Sequence, residues 1–299
     1  MDKPPVFQIT ARQQRRNARQ GKRMIWLGMM YHRLSMPLSV YFLFSSRRFN
    51  PHYRMNRRRR WQLGNRMYRN WRKVPTGISY KAHLAMAAKL LEIPPSVKGS
   101  VVECGCWMGG TSVNLSVMCE VVDRNLIVYD SFEGLPTPAP GDNLGENVAG
   151  GFCGSLDTVM SNVEKFGDLQ RCEFRKGWFQ DTLPSHSEPI VLCFIDVDLH
   201  SSMHDCVVNL WGHLTNQGYL FFDDYTHLDN CALFFSERFW HDYLNTKPPG
   251  LMGSGTGIGV GQYYVGPWPG NSALQRPTST AYTRKDFIGT WSYAPESGS

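Results

Sequence analysis

The 299-residue sequence predicts a doubly wound α/β fold built on a mostly parallel sheet. Three observations predict it. Short apolar runs that suit strands alternate with segments whose apolar residues recur every three or four positions. The stretch Val101–Ser112, VVECGCWMGGTS, reads as strand, glycine-rich turn and helix start. Acids close successive strand-like runs, at Glu103, Asp130, Asp196 and Asp223-Asp224. In such a sheet the parallel strand ends share one edge, where ligands bind.

Taken in order, the chain divides into a basic, partly apolar extension (1–75), a main domain (76–266) and a loose tail (267–299) rich in Pro, Gly, Ser and Thr. The extension carries 19 Lys and Arg against one acid, Asp2, a balance of +18; the rest carries 13 against 24, or −11. Residues 1–24 are polar and basic without helix punctuation, and an apolar segment follows, Met24 to Phe44. Arg33 and Pro37 at its middle disfavour a spanning helix, and no small-residue cleavage site marks a signal peptide. An interfacial helix beside Arg57–Arg60, Trp61 and Trp71 suits anionic lipid headgroups. A basic arm packed on a partner subunit and an organellar presequence are the alternatives; nucleic acid is disfavoured as a partner.

Gly77 to Ile93 has helical spacing, and Pro94-Pro95 stops it before the strand that carries Glu103. LIVYD, ending at Asp130, is the second strand. A long loop from Thr137 to about Ser155 follows and has the length of a lid. Leu156–Phe166 reads as a helix, CEFRKG as the third strand and PIVLCFID as the fourth. Met203–Leu214 is helical, Gly218–Phe222 is the fifth strand, and helical spacing returns from Cys231 to Leu244. GIGVGQYYV, residues 257–265, fits closing edge strands. Eight cysteines without a C-x-x-C pair read as buried thiols in a reducing compartment, which places the protein in the cytoplasm with a membrane surface as its one candidate attachment.

The turn and the acids carry the chemistry. Glycine lets the backbone approach a nucleoside closely, and an acid at the end of the second strand faces the ribose. Carboxylates converging on one cleft repel each other unless a hard divalent cation relieves them. Asp196, Asp223 and Asp224 form the natural triad for magnesium, with Asp198 in a supporting position. The competing reading of each acid is a helix N-cap after a strand.

VVECGCWMGGTS, VYDSFEGLP, KGWFQDTLP, FIDVDLHSS and GYLFFDDY, in that order and spacing, resemble the macrocin O-methyltransferase family over roughly residues 78–265. The chain departs from the family pattern at Met108, where a basic residue is usual, and at Val197 and Asp198-Leu199-His200, where Gly and then Asp-Leu-Tyr are usual. The resemblance implies a Rossmann-like methyltransferase fold with a seven-stranded, mostly parallel sheet and an antiparallel edge hairpin. It implies an enzyme that uses S-adenosylmethionine and Mg2+ to methylate a hydroxyl of a sugar or glycosylated natural product. Glu103 would face the amino acid end of the cofactor, with Gly105 and Gly109 admitting its backbone. Asp130 and Ser131 would lie at its ribose, Trp107 and Thr111 along one wall, and Phe179 and Gln180 at its adenine. A broader likeness to catechol-type methyltransferases supports the same metal triad. Asp196 would also serve catalysis through the metal, and His200 and His227 are the candidate general bases, each with a structural role as the alternative. A phenolic acceptor and a non-catalytic binding protein are the rival functions. The oligomeric state is left open by the sequence, with a homo-oligomer paired through the basic arm and the acidic main domain as one candidate assembly.

Overall fold

The structure is a computed structural model and describes residues 11–44, 46–142, 149–223, 225, 227–254 and 280–286. Two N-terminal helices, α1 (Ala11–Leu43) and α2 (Arg57–Trp71), precede α3 (Tyr80–Glu92). Strand β1 (Ser100–Cys104) leads through the glycine turn to α4 (Gly110–Val122) and β2 (Leu126–Asp130). Then come α5 (Leu156–Phe166), β3 (Cys172–Lys176), the short α6 (Phe179–Thr182) and β4 (Ile190–Ile195). Helix α7 (His200–Leu210), β5 (Leu214–Phe222), α8 (Leu228–Leu233), α9 (Glu237–Leu244), β6 (Gly253–Ser254) and β7 (Ala281–Arg284) complete the fold.

The sheet order is β3-β2-β1-β4-β5-β7-β6. β3 through β5 are parallel, and β7 runs antiparallel to both β5 and β6. The seventh strand is only the two-residue β6. The order reverses between β1 and β4, which leaves a crevice at their carboxyl ends. Strand alternation sends Val101, Val128 and Phe194 to one face and Val102, Ile127 and Cys193 to the other. Helices α1–α5 cover the first face and α7–α9 the second.

Several boundaries differ from the sequence expectation. α1 begins at Ala11, within the segment read as unpunctuated, and contains Pro37. The expected helix 231–244 is two helices, because Ser236 accepts from Phe239 N and starts a new one. The tail read as loose supplies β7, paired to β5 from Tyr219↔Arg284 to Phe222↔Ala281. The run 257–265 lies outside the described residues. All eight cysteines are free; Cys153 is exposed, and Cys172 and Cys231 are half-buried, so the expectation of burial holds for the other five.

Helices α1 and α2 are built into the core. Gly64 lets α2 lie directly on Val40 of α1, where an added Cβ would come within 2.6 Å of a Val40 methyl. Trp71, fully buried, donates its indole N–H to Ile78 O at 2.9 Å and packs against Tyr68, Tyr80 and His32. A buried polar chain ties this layer to α4. Asn70 donates to Asn114 Oδ1 at 3.2 Å, and Asn114 Nδ2 donates to Met67 O and lies 2.8 Å from His83 Nδ1. An amide donor at Nδ1 places the His83 proton on Nε2, which donates to Thr111 Oγ1 at 3.1 Å; Thr111 in turn meets Thr76 Oγ1 at 3.1 Å.

Burial pulls the His83 pKa down from 6.5 to about 3, so the ring is neutral inside the fold. Unfolding returns it to its ordinary range. The unfolded chain therefore binds the extra proton between these values, and stability falls as pH drops from 6.5 toward 3. Urea unfolding at pH 7.5 and 4.5 is expected to show the wild type losing a few kcal/mol more than His83→Gln across that interval. Equal losses would assign the acid sensitivity to other groups.

Candidate active site

The parallel hydrogen-bond ladder continues one residue past each strand end. Gly177 N donates to Asp130 O, Gly105 N to Tyr129 O, Asp196 N to Cys104 O and Asp223 N to Ile195 O, all at 2.9–3.0 Å. These bonds bring Asp130, the glycine turn, Asp196 and Asp223 to one edge of the sheet. Ile195 and Phe222 are register partners, so Asp196 and Asp223 follow adjacent paired residues. Asp196 is half-buried; Asp223 is buried and accepts from the Thr280 hydroxyl at 3.0 Å. Asp224 lies outside the described residues. Among the described residues no group of three or more His, Cys, Asp or Glu forms a metal cluster. Asp196 and Asp223 are the two described acids of the expected metal triad, and they follow neighbouring strand ends.

Glu103, in β1, is completely buried, and both carboxyl oxygens lack a hydrogen-bond partner within the protein. Desolvation pushes its pKa up from 4.5 to about 8; nearby Ser112 opposes the shift without bonding it in ordinary geometry, and Asp130 adds to it. An orphaned buried carboxyl is costly in a free protein and is a ready counter-group for a cationic ligand.

The glycines have a packing role in the turn. Gly105 has φ +81°, and an added Cβ would sit 2.0 Å from the Asp196 carbonyl oxygen. Gly109, with φ +79°, would meet Val159 of α5 at 2.9 Å. The space on the Cβ side of each is filled by the protein itself, so they close the turn onto β4 and α5. Thr111 is buried in the chain running from Asn70 to Thr76, because the first turn of α4 faces α3. Asp130 braces the turn. Its Oδ2 accepts from Cys106 N and its Oδ1 from Phe132 N, both at 2.7 Å, so the ribose role expected of it would use only the remaining lone pairs. Ser131 donates to Gly134 O and accepts from Glu133 N, shaping the DSFEGLP turn.

Trp107 is half-buried at φ +46° and meets Phe152 edge-on, centroids 6.0 Å apart. Phe179 packs against the second core cluster, and Gln180 is exposed. His200 opens α7, with Nδ1 3.4 Å from Asn230 Oδ1. His227 precedes α8 and makes no side-chain cap bond. Sequence reasoning missed Asp142. It lies in the loop expected to be a lid, and its two oxygens accept from Ser201 N and Ser201 Oγ, at 2.8 and 2.9 Å. The loop is thereby fastened to the first turn of α7, beside His200. The only sequence signal was the Pro-Gly-Asp turn, which names no partner. A separate cavity of about 640 Å³ lies at the opposite, amino edge, between Ser100, Asn125 and Pro189, away from these acids.

Gly105→Ala is expected to destabilise the fold by at least about 3 kcal/mol, combining left-handed strain with a clash against backbone. Gly109→Ala meets a side chain that can give way and should cost only about 1–2 kcal/mol. Denaturant unfolding of both variants checks the order, and equal costs would remove the role assigned to the Asp196 carbonyl.

A family model described as macrocin-O-methyltransferase (TylF) matches residues 76–248. The 8-demethyl-8-(2,3-dimethoxy-alpha-L-rhamnosyl)-tetracenomycin-C 4′-O-methyltransferase of Streptomyces olivaceus is 32% identical over 146 residues, 45% of this chain and 56% of that one. Mycinamicin III 3″-O-methyltransferase of Micromonospora griseorubida is 32% identical over 142 residues, 43% and 56% of the two chains. Demethyldecarbamoylnovobiocin O-methyltransferase of Streptomyces niveus is 29% identical over 179 residues, 50% and 65%. The chain thus spans less than two thirds of the length of these relatives. The solved structure of the O-methyltransferase NovP shares the fold, with a TM-score of 0.51 at 21% identity, covering 84% of this chain and 98% of that one. The family match extends over more than half of the sequence and includes β1 through β5 with the acids at their ends: the chain belongs to the macrocin O-methyltransferase family.

Proposed function

We propose that this chain transfers a methyl group from S-adenosylmethionine to a hydroxyl of a sugar or glycosylated natural product. The observation that carries the reading is the gathering of Glu103, Asp130, Asp196 and Asp223 at the reversal point of the sheet, inside the region that matches the family. Relatives named for a rhamnosyl-bearing acceptor and for mycinamicin III support the acceptor class.

Bound S-adenosylmethionine supplies an electrophilic methyl on a sulfonium. If a divalent cation such as magnesium takes part, Asp196 and Asp223, with Asp224, would hold it, and it would supply Lewis acidity toward an acceptor hydroxyl. The remaining work falls to the chain. Glu103 answers the ammonium of the amino acid moiety, which its unpartnered oxygens suit. Asp130 holds the glycine turn rigid and offers spare lone pairs to the ribose hydroxyls. Trp107 and Phe152 shield the crevice from water, Phe179 and Gln180 flank the adenine side, and Asp142 fixes the loop over α7. His200 or His227 takes the acceptor proton as the oxygen bonds to the methyl carbon and the sulfur–carbon bond breaks. Positioning supplies most of the acceleration, since methyl transfer needs little covalent assistance.

Incubation with S-adenosylmethionine and a panel of glycosides and phenols, read by mass spectrometry, is expected to show single methylation of a sugar hydroxyl. Asp196→Ala and chelation are each expected to lower the rate at least about 100-fold. Methylation of phenols alone would favour the phenolic reading. Cofactor binding without turnover on any acceptor would favour a binding protein.

Glu103 gives a second test. Its carboxyl is protonated in the free protein at neutral pH, since burial raises its pKa to about 8. Ionisation against an ammonium must release that proton, so affinity should rise as pH climbs toward 8 and level off above it. Calorimetry in buffers of different ionisation heat is expected to detect the proton, and Glu103→Gln to abolish it and weaken binding about tenfold or more. Cofactor binding with no proton release would overturn the pairing.

A further inference from the structure

One face of α1 is absent from the catalytic reading. Met29, Met36, Val40 and the fully packed Phe44 turn inward to the core. Trp26, Leu27, Met30, Leu34, Leu38 and Tyr41 turn outward, with Leu34 71% and Tyr41 67% exposed. Their spacings of three and four keep them on one side of the helix. A run of large apolar side chains at this exposure is uncommon on a protein surface and marks a contact site.

We propose that this face of α1 docks the protein onto a membrane surface rich in anionic lipid. The occupant follows from charge. In the sequence Arg12, Arg15, Arg16, Arg19, Lys22 and Arg23 immediately precede the apolar stripe. Residues 1–75 hold 19 cations and one acid. Two copies meeting through this face would bring like charges together, whereas an anionic surface neutralises them. Tryptophan and tyrosine within the stripe suit the headgroup boundary. Among the described residues no helix is long and apolar enough to cross a membrane, so α1 would lie along the surface. Part of the Arg57–Arg60 cluster is committed elsewhere: Arg59 donates to Tyr53 O, and Arg60 to Met55 O and Phe44 O. The electrostatic contribution therefore rests mainly on the cations that precede the stripe in sequence.

Co-sedimentation of the full chain with phosphatidylcholine vesicles, with and without about 30% phosphatidylserine, tests the proposal. Binding is expected only with the anionic lipid and is expected to weaken severalfold when salt is raised. Leu34→Glu with Leu38→Glu, both exposed and outside the core, should reduce binding at least about tenfold. Leu34→Ser with Leu38→Ser, which adds no charge, should reduce it less. No binding to anionic vesicles, or equal binding by the glutamate variant, overturns the proposal. So does light scattering that shows a stable dimer which the glutamate variant dissociates, because that outcome assigns the face to a second copy.

Discussion

The constraint on which the site depends is the seating of Gly105 against the backbone of Asp196. A Cβ there would lie 2.0 Å from the Asp196 carbonyl oxygen, so β1 and β4 can end side by side only if that residue is glycine in a left-handed conformation. The site depends on this contact. It sets the Asp196 backbone beside the glycine turn while the ladder carries on, Asp196 N to Cys104 O and Asp223 N to Ile195 O. The acids of three strands are thereby placed by backbone geometry, which tolerates little movement. Asp130 completes the arrangement from the other side by holding Cys106 N at 2.7 Å.

A second layer of order comes from behind the site. The chain of polar groups from Asn70 through Asn114, His83 and Thr111 to Thr76 fixes α4 against α2 and α3. Each member is buried, and the members satisfy one another, which is the condition under which buried polar groups specify a unique packing. Because α4 begins at the glycine turn, this network also fixes where the turn can lie. The N-terminal helices are thus part of what supports the crevice, although α1 carries an outward face with a chemistry of its own.

The electrostatics divide along the same lines. Cations concentrate in the first 75 residues and acids in the remainder, so the formal charge of +7 describes neither. Within the acidic part, Glu103 is the exception to the rule that buried charge is paired: it is wholly buried, and its two oxygens are unmatched by the protein. The desolvation that keeps it neutral in the free protein makes it responsive to a cation.

The order of strands and helices, the acids at strand ends and the family of the chain were all legible in the sequence, because periodicity and local motifs are properties of short windows. LIVYD and Leu156–Phe166 became β2 and α5 with the expected limits, and CEFRKG became β3 but for its last residue. Contacts between distant residues were not legible. A motif shows spacing and not direction; the structure adds that Thr111 bonds His83 and that the Cβ sides of Gly105 and Gly109 face Asp196 and Val159. Asp142 joins Ser201 across 59 positions, and β7 comes from a tail whose composition suggested no strand. The sequence alone determined which chemistry is present. Tertiary structure decided which groups are already engaged by the protein, since a side chain's partner is set by packing among segments far apart in the chain.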